Sequence, residues 1–234
     1  MPGKAIIILT SHNTLGDTGT PTGFHWVEMA TPYYALDAAG YDITLASVAG
    51  RRPPSDPSSC DPEDREDDVS RFIADTDAMD RLERTEKLSD LDATDFDIVY
   101  IPGGHGTMWD LAQTDAVGEF IAKAYENGAI VGSVCHGPAA LTECYLSDGT
   151  PLVKGKRVNA FTNAEEKKAE LEDVVPYLLE TRLKERGALY ECNEEPFGAH
   201  VARDERLVTG QNPASVKDLA AALVEMAGEY KKAA

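Results

Sequence analysis

Basic residues and long apolar runs are both scarce in this chain. Lysine and arginine together number 22 against 41 aspartate and glutamate residues, which gives 234 residues a formal net charge of −19. Nucleic acids and anionic membranes select basic surfaces, so neither is expected as a partner. No apolar segment reaches the roughly 20 residues of a membrane-spanning helix, and the amino terminus leads into a strand without the length of a signal peptide. We therefore expect a cytoplasmic protein.

The cysteine and glycine patterns exclude further classes of protein. The four cysteines, Cys60, Cys135, Cys144 and Cys192, form no C-x-x-C pair and have no zinc-type spacing. This pattern favours reduced thiols over a disulfide framework. The glycine-rich segment 102–106 lacks the Gly-Lys-Ser/Thr ending of a phosphate loop and the spacing of a dinucleotide fingerprint, which argues against nucleotide binding.

The acidic residues are spread along the chain and do not form a tail. One interpretation is a halophile's cytoplasm, where concentrated salt screens the repulsion between carboxylates, and such a protein should lose structure on desalting. The alternative is an acidic protein from a mesophile. In either case the negative field disfavours anionic substrates, so a neutral small molecule is the easier ligand to accommodate.

Apolar strands and helical patterns alternate through almost the whole chain. Such alternation predicts a doubly wound, mostly parallel α/β sheet with helices on both faces. We expect a single domain over residues 1–234, with an acidic irregular insertion at about 51–90. The predicted strands are Lys4–Thr10, Asp42–Ser47, Asp97–Ile101, the strand before Cys135, Lys156–Phe161, and short strands in Ala188–Glu191 and Val201–Thr209. The predicted helices are Glu28–Ala39 (with Pro32 in its first turns), pieces of Val69–Leu88, Asp115–Asn127, Ala164–Glu172, Val175–Arg186 and Pro213–Lys232.

Cys135 gives the strongest chemical signal. An apolar strand runs into it, and Pro138–Leu141 is expected to begin a helix. Ser133 and Gly137 flank the cysteine with the spacing of a nucleophile elbow, where small neighbours are needed because the turn is tight. At the amino end of a helix, the dipole would favour the reactive thiolate. The alternative is a buried structural cysteine beside a chance glycine.

Three loops are expected to meet at this elbow, because ligands bind where the carboxyl ends of such strands converge. One follows Thr10, one follows Ile101, and the third is the elbow itself. The backbone N–H groups of Gly104 and His136 could form an oxyanion hole. The alternative for the glycines is a tight turn that requires a positive φ.

Glu28 is a candidate proton carrier. A carboxyl buried among Phe24, Trp26 and a thiol would have a raised pKa. The alternative is an ordinary glutamate at a solvated helix start. His25 and His105 could bind a metal, but no spacing supports this, so both are expected to line the pocket together with Trp26.

His136 adjoins the nucleophile, and a Cys–His pair here depends on the strained elbow, since adjacent side chains seldom meet in regular structure. A carboxylate would be needed to orient the imidazole. Glu165 and Glu166, which follow Phe161, are candidates, although spacing alone favours a solvated helix start for both.

Taken together, these motifs resemble the ThiJ/PfpI superfamily of class I glutamine amidotransferase-like proteins, which have a flavodoxin-like sheet. They are most similar to its branch of heat-shock chaperones and glutathione-independent glyoxalases (D-lactate dehydratases). The matching segments span nearly the whole chain: Thr22–Pro32, Ala39-Gly40, Asp56-Pro57, Pro102–Gly106, Val134–Ala139, Phe161–Glu166 and Thr209–Ser215.

The resemblance implies a role for each candidate residue. Cys135 becomes the nucleophile, His136 its partner and Glu28 the acid/base carboxyl, and Glu166 is raised above Glu165 as the carboxylate that orients the histidine.

The resemblance also bears on metals and assembly. Some relatives carry a metal site with a histidine on the first helix, but this chain offers Asp37 and Asp42 there, so we expect no metal and no cofactor. Compact members usually form homodimers, which we expect here as well.

The implied activity is conversion of methylglyoxal to D-lactate without glutathione, through a hemithioacetal on Cys135. One alternative is a holding chaperone or an oxidation sensor whose cysteine becomes a sulfinate beside Glu28. Two others are deglycation of protein or nucleotide adducts by the same residues, and a peptidase or amidase activity.

Overall fold

The computed structural model describes residues 3–63 and 65–233, and these contain nine strands and seven α-helices. The strands are β1 (Lys4–Leu9), β2 (Asp42–Ser47), β3 (Glu86–Lys87), β4 (Ile98–Ile101), β5 (Ile130–Val134), β6 (Arg157–Val158), β7 (Leu189–Tyr190), β8 (Val201–Asp204) and β9 (Leu207–Gly210). The helices are α1 (Trp26–Ala38), α2 (Asp67–Ala74), α3 (Thr76–Glu83), α4 (Asp115–Glu126), α5 (Asn163–Lys168), α6 (Leu179–Glu185) and α7 (Val216–Ala233).

Seven of the strands form one sheet in the order β3-β2-β1-β4-β5-β9-β8. Its centre, β2-β1-β4-β5-β9, is parallel throughout and has the strand order of a flavodoxin-like doubly wound sheet. β3 extends one edge in parallel and β8 ends the other edge antiparallel, while β6 and β7 pair separately. The predicted mostly parallel α/β architecture is confirmed.

The apolar β1 supplies side chains to both faces of the sheet. Alternate residues of a strand point to opposite sides, and accordingly Ile7 packs in one hydrophobic cluster with α1 and α7. Ile6 and Ile8 pack in a second cluster with α4 on the other face. In the part of the chain that is described, no helix is both long and apolar enough to cross a membrane.

The carboxyl ends of the central strands place the predicted loops together. β1, β4 and β5 end at Leu9, Ile101 and Val134, so the three loops expected to converge leave the same edge of the sheet. β9 ends there too and adds the segment Gln211–Ser215, for which the sequence suggested no position in the site.

The prediction of an α-helix directly after the elbow is wrong. Gly137–Leu141 forms only a five-residue 3-10 turn. The Thr142 hydroxyl donates to Ala139 O at 2.8 Å, and such side-chain bonds compete with continuation of a helix.

The strand predicted over Lys156–Phe161 is also shorter, because only β6 pairs in it. The next residues turn to the main sheet, where Asn159 N donates to Thr209 Oγ1 at 2.9 Å and Phe161 N donates to Cys135 O at 2.9 Å. This change of direction brings α5 to the elbow.

The acidic insertion contains a 3-10 turn over Pro57–Cys60, capped by Asp56, followed by α2 and α3. It pairs with the segment before α1, where Phe24 N donates to Pro54 O at 3.0 Å and Phe24 O accepts from Asp56 N at 2.8 Å. The insertion therefore flanks the start of the helix that carries Glu28.

Helix α1 begins two residues before the predicted start, and Pro32 lies in its second turn. Proline has no N–H to donate to the carbonyl four residues earlier, that of Glu28. The hydroxyl of Tyr100, which is fully buried, donates to this carbonyl at 2.7 Å. A side chain from β4 thus replaces the missing helical hydrogen bond next to the candidate site.

We expect Tyr100→Phe to lower the free energy of unfolding by about 1–3 kcal/mol, since a buried carbonyl loses its donor. The loss should be smaller in a Pro32→Ala background, because the alanine has a backbone N–H that can bond the same carbonyl. Chemical denaturation of the four proteins gives the coupling, and equal losses in both backgrounds would show that Tyr100 does not act through this carbonyl.

Candidate active site

The backbone of Cys135 turns sharply at the end of β5. Its φ is +59°, a left-handed conformation that costs a non-glycine residue on the order of 1–3 kcal/mol. Two hydrogen bonds hold it, from Cys135 N to Gly210 O at 2.9 Å and from Phe161 N to Cys135 O at 2.9 Å. The predicted elbow is therefore present, and its thiol-bearing residue is 4% exposed.

Gly137 shows why the elbow needs small neighbours. A Cβ at this position would collide with Ile101 O and would lie 2.6 Å from Ser133 Oγ. Ser133 in turn donates its hydroxyl to Ile101 O at 3.0 Å. The two flanking residues let the turn pack directly against the end of β4.

The structure brings Cys135, His136 and Glu166 into one chain of contacts. Cys135 Sγ lies 3.4 Å from His136 Nδ1, and His136 Nε2 lies 2.8 Å from Glu166 Oε2. Burial is the main cause that lowers the pKa of His136, so the ring is neutral. With Nε2–H donating to the carboxylate, Nδ1 is free to accept the thiol proton.

Glu166 stays ionised although it is buried. Burial alone would raise its pKa, but His136 and His105 together outweigh burial and hold the pKa of Glu166 well below its usual range. His105 Nε2 lies 2.9 Å from Glu166 Oε1, and its ring centroid lies 3.9 Å from that of His136, with the two rings tilted by 39°. His105, predicted only to line the pocket, thus contacts the carboxylate directly.

The expectation from spacing that Glu165 and Glu166 are solvated is wrong, because both are buried. Glu165 turns away from His136, and its Oε2 accepts from the backbone and hydroxyl of Thr162, each at 2.8 Å. Its Oε1 accepts from Phe197 N, Gln211 Nε2 and Asn212 Nδ2 at 2.7–3.1 Å. Glu166, and not Glu165, reaches the histidine.

Three of these side chains also have the geometry of a metal site. Ligand atoms of His105, His136 and Glu166 lie within 4.8 Å of one another, a donor set that transition metals accept. An ion there would replace both histidine–carboxylate hydrogen bonds. The absence of a metal stays a prediction.

Glu28 interacts with the Cys135 thiol and is completely buried. Its Oε2 accepts from Gly103 N at 2.7 Å, and its Oε1 has no hydrogen-bond partner among the described residues. Burial raises the pKa of Glu28 to about 8, against smaller opposing effects of the Cys135 thiol and the Gly103 N–H. The carboxyl is therefore protonated at neutral pH, in agreement with the expected raised pKa.

Burial, followed by the charge of Glu28, raises the pKa of the Cys135 thiol well above its usual value. The helix whose dipole was expected to favour the thiolate is reduced to a five-residue 3-10 turn, so little dipole remains to oppose the effect of burial. The N–H groups of His136 and Gly104 face the sulfur and act in the opposite direction. Gly104 has a φ of +97°, so it is needed for the turn and also offers its N–H.

His25 and Trp26 lie at the start of α1. His25 N donates to Gly103 O at 3.0 Å, while burial lowers the pKa of the His25 ring to about 4 and leaves its Nδ1 without a partner among the described residues. Trp26 is 3% exposed and packs edge to face against Phe24 and Phe72. Their predicted contact with a substrate stays a prediction.

We expect Glu28→Gln to stabilise the fold most at alkaline pH. Folding raises the pKa of Glu28 from 4.5 to about 8, so the folded protein loses stability as the pH rises from 4.5 towards 8. Glutamine can keep the bond from Gly103 N and cannot ionise, so the gain should be near zero at about pH 4.5 and on the order of a few kcal/mol at about pH 8. Thermal melting at both pH values tests this, and a gain independent of pH would contradict it.

The chain matches known proteins over most of its length. The model of the DJ-1/PfpI family matches residues 20–226. Glyoxalase 3 of Candida albicans is 34% identical over 91% of this chain and 93% of its own length, and the glutathione-independent glyoxalase HSP31 of Saccharomyces cerevisiae is 29% identical over 94% and 95%. The crystal structure of glyoxalase III from Candida albicans superposes with a TM-score of 0.88 at 30% identity, covering 96% of this chain and 97% of the other. The chain therefore belongs to the DJ-1/PfpI family.

Proposed function

We propose that this protein converts methylglyoxal to D-lactate without glutathione. One observation carries the proposal: a buried thiol lies between a neutral imidazole held by an ionised carboxylate and a second carboxyl that is protonated. This arrangement supplies a nucleophile, a base and an acid in one dry site. The names of the two glyoxalase relatives support the same reaction.

The first step is addition of the thiol to the aldehyde. His136 Nδ1 takes the Cys135 proton as the sulfur–carbon bond forms, which is needed because the thiol does not ionise by itself at neutral pH. The N–H groups of Gly104 and His136 hold the developing oxyanion. The imidazolium then returns the proton to that oxygen, which leaves a hemithioacetal and a neutral histidine.

The second stage moves hydrogen between the two substrate carbons. His136 takes the proton from the hemithioacetal carbon while Glu28 gives its proton to the ketone oxygen, which forms an enediol. His136 then protonates the former ketone carbon, and Glu28 regains a proton from the remaining enol hydroxyl. The aldehyde carbon is now oxidised to a thioester and the ketone carbon reduced to an alcohol.

Water completes the cycle by hydrolysing the thioester, with His136 as base. The carbon–sulfur bond breaks, lactate leaves and Cys135 regains its proton. The neutral substrate also suits a protein with a net charge of −19.

We expect Cys135→Ala to abolish lactate formation, because this residue supplies the sulfur of the carbon–sulfur bond. Glu28→Gln should lower kcat/KM by at least about 100-fold, the usual contribution of a general acid. Cys192→Ser is the matched control, since this exposed thiol should be dispensable. Purified proteins are given methylglyoxal without glutathione and D-lactate is followed. Full activity of either site variant would refute the mechanism.

The rate should also fall as the pH rises above about 8. Glu28 must start protonated, and its pKa is about 8, so the active fraction declines on the alkaline side. Initial rates measured between about pH 6 and pH 10 test this. The residual activity of Glu28→Gln should lack the decline, and a wild-type decline that persists in this variant would assign it to another group.

A further inference from the structure

A phenylalanine outside the proton relay stands at the rim of the site. Phe197 is 48% exposed, although large apolar side chains are usually buried. Its ring lies 6.1 Å from that of Phe161, which in turn lies 4.5 Å from the ring of His136. An aromatic series therefore leads from the catalytic imidazole out to solvent.

The backbone of Phe197 is strained. Its φ is +67°, which costs a residue with a side chain on the order of 1–3 kcal/mol, and glycine would serve a simple turn better. Gly198 follows directly, so the chain places the bulky ring, and not the glycine, at the left-handed position. Strain of this kind is kept where the surrounding contacts fix it.

The buried carboxylate of Glu165 supplies that fixation. Phe197 N donates to Glu165 Oε1 at 2.8 Å, an atom that also accepts from Gln211 and Asn212. Asn212 Nδ2 further donates to Gly198 O at 2.8 Å. Phe197 is thus held by the residue next to Glu166, the carboxylate of the catalytic relay.

From this geometry we infer that Phe197 forms the outer apolar wall of the substrate pocket and contacts the substituent on the ketone carbon. The exposed ring continues the apolar surface of Phe161 beside His136, where that substituent would lie once the aldehyde carbon is bonded to Cys135. Phe197 is then a specificity-determining residue that favours a methyl group over hydrogen. The substrate part of this inference rests on the proposed glyoxalase function.

Turnover of methylglyoxal and glyoxal tests the contact. Phe197→Ala should lower the ratio of kcat/KM for methylglyoxal to that for glyoxal about fourfold, the effect of burying one methyl group. Phe197→Leu should keep most of the ratio. Phe197→Gly should lower this kcat/KM ratio as much as Phe197→Ala does. Its melting temperature should be no lower than that of Phe197→Ala, because glycine accepts the left-handed backbone. Tyr230→Ala, a similarly exposed aromatic on the far end of α7, should leave the ratio unchanged.

A second measurement does not depend on the reaction. A wall over the thiol restricts large reagents more than small ones, so Phe197→Ala should accelerate labelling of Cys135 by N-ethylmaleimide several-fold more than labelling by iodoacetamide. Peptide mass spectrometry separates Cys135 from the other thiols. An unchanged substrate ratio in active protein, or an unchanged labelling ratio, would overturn the inference. Wild-type protein inactive on methylglyoxal would refute the proposed function and leave the labelling result to decide on the wall.

Discussion

The left-handed backbone at Cys135 is the constraint on which the site depends. Its N–H and carbonyl are committed to Gly210 and Phe161, so the conformation that aims the thiol also fixes β9 and the segment before α5. Because Glu166 follows five residues after Phe161, the same bond that supports the elbow delivers the carboxylate to His136. The strained backbone of Cys135 and the two hydrogen bonds that hold it therefore position the nucleophile, the base and the orienting carboxylate.

Burial then sets the protonation states. It raises the pKa of Cys135 and of Glu28 and lowers that of His136, so these three groups are neutral at rest. Glu166, in contrast, is charged, because two imidazoles face it. In the proposed mechanism the thiolate of Cys135 therefore forms as His136 Nδ1, 3.4 Å from the sulfur, accepts its proton.

The sequence was sufficient for features set by local pattern. Apolar strands alternating with helical periodicity predicted the parallel sheet, and the small residues around Cys135 predicted the elbow. Features set by contacts between distant segments could not be read in this way. His105 and Glu166 are 61 residues apart and no spacing links them. The short turn after the elbow depends on a local competition from Thr142 that apolar periodicity does not show.

Glu165 and Glu166 are adjacent in the sequence, which does not show that they bind different partners. Successive residues of a helix project roughly 100° apart, so two adjacent glutamates at the start of α5 must face different partners. One binds the two histidines, and the other binds the loop that carries Phe197 and the segment after β9. Adjacent residues of a six-residue helix thus hold the loop of Phe197 and the catalytic base His136. A shift of α5 that loosened the rim would also move the carboxylate from His136, so an ordered pocket and an oriented base are kept together.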